Sequence, residues 1–179
     1  MNIIDRYNDC EFAGFYHITS PCDILLVREM TGGIYHGERG RLYSPCGECM
    51  GKGCQEAFDT EKYSWVQIER ILRVAYECAD IRQKKLCIVD KADVLESSRL
   101  WREVVSEISV HFPQVETDIL NIEKAAAKII ADPKQFDVIV TSNMFGEILG
   151  GILSALATKA ALATLAAPAG IQYSLNIVN

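Results

Sequence analysis

The sequence predicts an α/β fold: a mixed sheet flanked by helices, with an exposed hairpin arm and a long C-terminal interface helix. Three observations carry this expectation. Short apolar runs such as Leu86–Val89 and Phe136–Thr141 give way to polar steps and then to amphipathic stretches, the alternation that layers helices on a sheet. Ser64 and Gln67 stand three apart ahead of an apolar-periodic run, the signature of a capping box. The segment from Gly37 to Gly53 is rich in glycine and charge, which suits an exposed hairpin and makes the sheet mixed.

Taken in order, Met1 to Ser20 has no clear period and reads as a strand or two with turns. Asp23 to Glu29 is a buried strand, and Thr31-Gly32-Gly33 turns the chain into Ile34-Tyr35-His36. Beyond the arm and the Ser64 cap, Ile68, Ile71, Leu72, Ala75 and Ala79 fall on one helical face. Leu86–Val89 forms the central strand, then come Asp90-Lys91, a loop closed by Ser97-Ser98, and a serine-capped helix carrying Trp101. Leu100, Val104 and Ile108 face inward on that helix, which stops near Pro113. Thr117 to Ile122 suits a strand, Glu123 to Ala131 a short helix ended by Asp132-Pro133, and Phe136 to Thr141 a fully buried strand.

Asn143 or Ser142 caps the last helix, which runs to about Ala166. From Ile148 to Ala167 its only charge is Lys159, so a membrane span and a subunit interface both come into view. The mid-run lysine, the alanine and threonine content and the lack of an aromatic belt favour the interface. Gly146 and Gly150 form a G-x-x-x-G that points to close helix packing.

The 179 residues suit one domain with a real core. A net charge of −6 argues against a nucleic-acid surface. Seven cysteines and a polar, mixed start without a leader suggest free thiols or a metal in a reducing, cytoplasmic setting.

An Asp-Lys step past the carboxyl end of a strand sits where open α/β sheets bind ligands. Partial burial would lower the Lys91 pKa towards neutrality and fit it for acid–base work; the alternative is a solvated Asp90–Lys91 pair. Arg28, at the end of an apolar strand, could clamp a carboxylate or pair with Glu29 or a neighbour. Cys46, Cys49 and Cys54 have the C-x2-C-x4-C spacing of a zinc knuckle. A fourth Zn²⁺ ligand would come from Asp59, His36, Cys22 or Cys10.

VDKADVLESSRLWREVV around Lys91 resembles the V-D-K-A-N-V-L-x-x-S-x-x-W-R signature of the β-decarboxylating dehydrogenases, the isocitrate/isopropylmalate dehydrogenase family and its isopropylmalate branch above all. LLVREMTGGIYHG, AFDTEKYSWVQIERILRVAYECA and DPKQFDVIVTSNMFGEIL resemble further family segments in the right order. The resemblance covers residues 22–149 of a single domain, leaving 1–21 and 150–179 unmatched. It implies NAD-dependent oxidative decarboxylation of a 2-hydroxy acid, assisted by Mg²⁺ or Mn²⁺, in leucine biosynthesis. It also implies a cytoplasmic homodimer held by the arm and the last helix. By the same match Arg28 holds a substrate carboxylate, Tyr63 is the acid that protonates the decarboxylated intermediate, and Lys91 reaches the site of the partner subunit. Glu123 and Glu147 stand where the first two metal aspartates belong, and Gly151 where the third belongs. Asp93 replaces an asparagine near the expected nicotinamide. No segment matches the family's nucleotide-binding half, so the chain reads as the dimer-forming domain taken alone, inactive or severely impaired in turnover. Two other readings stand beside this one: a non-catalytic dimerisation module, and a small metal-binding protein using the cysteine arm.

Overall fold

The computed structural model describes residue 7 and residues 10–44 and 54–166. Its centre is a five-stranded sheet in the order β1-β2-β7-β5-β6, with β1 Ala13–Ile18, β2 Ile24–Glu29, β5 Lys85–Asp90, β6 Glu116–Asn121 and β7 Val138–Thr141. Four strands run parallel, and β1 lies antiparallel on the β2 edge, Phe15 facing Val27. The sheet is therefore mixed through its first strand and not through the hairpin. The hairpin, β3 Arg39–Ser44 and β4 Cys54–Asp59, forms a separate two-stranded sheet.

Period-two alternation divides the core into two layers. Leu25, Val27, Leu86, Ile88, Val138 and Val140 face one way, against helices α1 (Trp65–Ile81) and α2 (Glu96–Ile108). Ile24, Leu26, Cys87, Val89 and Ile139 face the other, against α3 (Ile122–Ala131) and α4 (Asn143–Ala166). The predicted face of α1 is fully buried, and its capping box is formed: Gln67 N donates to Ser64 Oγ, and Ser64 N donates to Gln67 Oε1 at 2.9 Å.

The start of α2 departs from expectation. Its N-cap is Leu95, with no side-chain cap. Val94 N and Leu95 N both donate to Lys91 O, closing the turn before either serine is reached. Ser98 is thereby freed to accept the Lys91 N–H at 3.1 Å, fixing the strand end. In α4 the Ser142 carbonyl accepts the Gly146 N–H. By length and composition α4 could cross a membrane, yet Phe145, Leu149 and Leu153 are buried on the sheet. On another face of the same helix, Ile148 and Leu162 are exposed apolar side chains.

Candidate functional site

The carboxyl ends of the parallel strands gather the polar residues, as chain direction in such a sheet requires. They form two groups. The first centres on Arg28, which is buried at the end of β2. Its Nε and Nη2 donate to Asn143 Oδ1 at 2.9 and 2.7 Å, Nη1 to the Tyr16 hydroxyl at 3.1 Å, and Nη2 to Glu147 Oε2 at 3.0 Å. Glu147 stands beside the Tyr35 hydroxyl and raises the Tyr35 pKa.

Gly146 makes this arrangement possible, because a Cβ there would lie 2.6–3.0 Å from the Arg28 side chain. At Gly150 a Cβ would lie 3.2 Å from the Tyr16 ring. The G-x-x-x-G thus fits α4 onto β1 and β2 rather than onto another helix.

Beneath this group, Glu29 is fully buried and accepts from Gly32 N at 2.7 Å, from the Thr31 amide and hydroxyl, and from Arg70 at 3.0 Å. It holds the turn that delivers Tyr35. Asn143 Nδ2 donates to the carbonyls of Met30 and Gly32, tying the same turn to α4.

Tyr63 is 7% exposed, packs edge-on against Trp101 at 5.7 Å, and accepts the Asn143 N–H at 2.8 Å. Burial pushes its phenol far above the ordinary tyrosine range. Gly32 and Gly33 back directly onto its ring, and Gly33 has a φ of 79°.

The second group centres on Lys91. Its Nζ donates to Glu123 Oε1 at 2.6 Å and to Asp93 Oδ2 at 2.9 Å. Those bonds raise the Lys91 pKa and lower those of Glu123 and Asp93. The expectation of a lysine shifted towards neutrality is overturned: two carboxylates flank an amine too open for desolvation to dominate. Asp90 does not pair with Lys91. It is 2% exposed and takes a bidentate pair from Arg102 at 2.6 and 2.9 Å.

Arg28, Glu147 and the start of α4 next to Tyr63 are therefore brought together, and Lys91 joins Glu123 separately. Sequence reasoning missed Tyr35, Tyr16, Asn143, the Glu29–Arg70 pair and the Asp90–Arg102 pair as parts of the site. The only local signals were the Thr31-Gly32-Gly33 turn ahead of Tyr35 and a cap-type asparagine at Asn143.

A divalent cation of the Mg²⁺ class needs several convergent oxygens at near-octahedral geometry. Here Glu147 is engaged by Arg28, Glu123 by Lys91, and Gly151 has no donor. Among the described residues no three His, Cys, Asp or Glu side chains cluster for a metal. The carboxylates do not fit a Mg²⁺ or Mn²⁺ site. Of the turns that follow the parallel strands, the one after β2 carries a glycine pair, Gly32-Gly33, and that pair backs onto the Tyr63 ring. Cys46 and Cys49 lie outside the described residues, and Cys54 opens β4. Of the alternative Zn²⁺ ligands, His36 Nε2 lies 2.9 Å from Met30 O and Asp59 lies 4.0 Å from Arg39.

A model of the Isocitrate/isopropylmalate dehydrogenase family matches residues 7–168, extending past the motif-bearing stretch at both ends. Similar curated proteins include the 3-isopropylmalate dehydrogenases of Clostridium acetobutylicum, 50% identical over 132 residues, and Desulfitobacterium hafniense, 44% identical over 156 residues. These alignments take in 74% and 87% of this chain but 35% and 42% of those proteins. The chain thus spans well under half the length of the curated relatives it matches. Among solved structures, isocitrate dehydrogenase from Methylococcus capsulatus aligns with a TM-score of 0.71 at 27% identity, covering 88% of this chain and 48% of that one.

Proposed function

This chain belongs to the isocitrate/isopropylmalate dehydrogenase family, and from that premise we propose that it forms the substrate-holding and dimer-forming part of a decarboxylating dehydrogenase site. The reaction class is the NAD-dependent oxidative decarboxylation of a 2-hydroxy acid of the 3-isopropylmalate kind, in leucine biosynthesis and in the cytoplasm. The observation that carries this reading is the convergence of Arg28, Tyr16, Tyr35, Asn143 and Glu147 at the carboxyl edge of the sheet.

Arg28 is the carboxylate anchor, held rigid by Asn143 so that its fork faces the α4 start. The proton-bearing hydroxyl is assigned to Tyr35 rather than Tyr63. Tyr35 is 43% exposed and stands beside a site carboxylate that raises its pKa, whereas the Tyr63 oxygen is buried under the turn and already accepts from Asn143. Tyr63 is then a strut. Lys91, charged and fixed at its backbone by Ser98, is the residue offered to the partner subunit. With Glu123 and Glu147 both paired to cations, the 179-residue chain does not turn over by itself.

Dimerisation rests on the exposed apolar flank of α4, which includes Ile148 and Leu162. Sedimentation of the purified chain at micromolar concentration is expected to give a dimer. Ile148→Lys with Leu162→Lys is expected to raise the dimer Kd by about 100-fold, since a charge in an apolar interface is strongly unfavourable. A well-folded wild-type monomer would contradict the reading.

A further inference from the structure

The polar groups at the carboxyl edge of the sheet pair off in an uncommon way. Each carboxylate standing at a family metal position ends on a basic side chain of the same chain. Glu147 Oε2 is 3.0 Å from Arg28 Nη2, and Glu123 Oε1 is 2.6 Å from Lys91 Nζ. Glutamate reaches about one bond, ~1.5 Å, further than aspartate. The same two cations are the groups assigned to substrate and partner, so the pairs are made at the expense of convergence on an ion. The third position, Gly151, faces open space: a Cβ built there meets nothing within 4 Å.

We infer that this chain has exchanged its divalent cation for internal ion pairs, Arg28–Glu147 and Lys91–Glu123, and is indifferent to Mg²⁺ and Mn²⁺. The inference rests on the family reading of these positions, dimerisation included, because Glu123 and Glu147 stand in separate groups of one chain and meet only across a dyad; it does not rest on carboxylate binding. The exchange is built from the side chains at three positions, 123, 147 and 151. Glu147→Asp withdraws the carboxylate from Arg28, Glu123→Asp withdraws the other from Lys91, and Gly151→Asp adds a donor one helical turn beyond residue 147, on the same face. The open space at Gly151 accommodates the new side chain without moving a neighbour.

The test measures Mn²⁺ binding by the loss of the free-ion electron paramagnetic resonance signal, together with the thermal midpoint. For the wild-type chain, millimolar Mn²⁺ is expected to leave both unchanged from a metal-free control. For the E123D/E147D/G151D variant, a lost free-ion signal and a rise in midpoint of about 4 °C are expected once free Mn²⁺ is roughly tenfold above Kd. Stoichiometric Mn²⁺ uptake by the wild-type chain would overturn the inference. So would a triple variant that keeps the wild-type circular dichroism spectrum, sediments as a dimer and takes up no Mn²⁺. If the triple variant does not fold, E147D/G151D is measured in its place, and the same two outcomes decide. Sedimentation of the same samples reports the dimer separately, so a failed family reading is distinguishable from a failed metal exchange.

Discussion

Arg82→Ala is expected to destabilise the chain by about 3–5 kcal/mol, the usual result of leaving one member of a buried ion pair without its partner. Arg82 Nε donates to Asp137 Oδ1 at 2.7 Å, and the Asp137 side chain is fully buried just before β7. After truncation that carboxylate keeps the Gln83 N–H at 2.8 Å but loses its cation. Arg82 Nη2 also donates to Asp23 at 2.8 Å, and His17 Nε2 lies 2.7 Å from the same carboxylate. Asp23 is half exposed, so Asp23→Asn is expected to cost at most about 1 kcal/mol.

Burial alone would raise the Asp23 pKa, but the bonds from Arg82 and His17 outweigh it, and the net direction is down. A carboxyl depressed in the folded state stabilises the fold above its unfolded pKa of ~3.9. That contribution fades as pH falls through the folded value. The gap between wild type and Asp23→Asn should therefore close in acid, below about pH 4. Urea denaturation at pH 7 and in acid checks both expectations, and equal losses for Arg82→Ala and Asp23→Asn would refute the first.

Tyr63→Ala is expected to cost about 3–5 kcal/mol, in the range for removing a buried aromatic. It deletes the ring that packs against Trp101 and backs the Gly32-Gly33 turn, and it strips the acceptor from the Asn143 N–H. Tyr63→Phe isolates the hydroxyl and is expected to cost about 1–3 kcal/mol by leaving that buried amide without a partner. Tyr35→Phe removes an exposed hydroxyl and should change stability by less than about 0.5 kcal/mol. Thermal denaturation of the three variants separates a strut from a site hydroxyl. Equal behaviour of Tyr63→Phe and Tyr35→Phe would contradict the assignment.

Much of the fold was legible because it is encoded locally. Ile68, Ile71, Leu72, Ala75 and Ala79 announce one face of α1, and Ser64 with Gln67 announces its start, all within a few turns of chain. Phe136 to Thr141 reads as a buried strand from its own side chains, and Val138–Thr141 of it is one. The site is another matter. Arg28 meets Asn143 and Glu147 across 115 and 119 residues, and Tyr63 meets Asn143 across 80. No periodicity carries such pairings, so motif matching placed Arg28 and Lys91 at the site without showing that each would find a glutamate. Tyr63 was placed at the site by its motif alone, and a motif carries no burial, which bears on which hydroxyl a ligand reaches. The N-terminus of α2 was misjudged because Ser97 and Ser98 are good cap residues in a place where the Lys91 carbonyl had already closed the turn.

The most direct test of the account is NADH formation by the purified 179-residue chain supplied with 3-isopropylmalate, Mn²⁺ and NAD. With the site carboxylates tied to Arg28 and Lys91, no NADH above the enzyme-free control is expected. Steady NADH production that Arg28→Ala abolishes would contradict it.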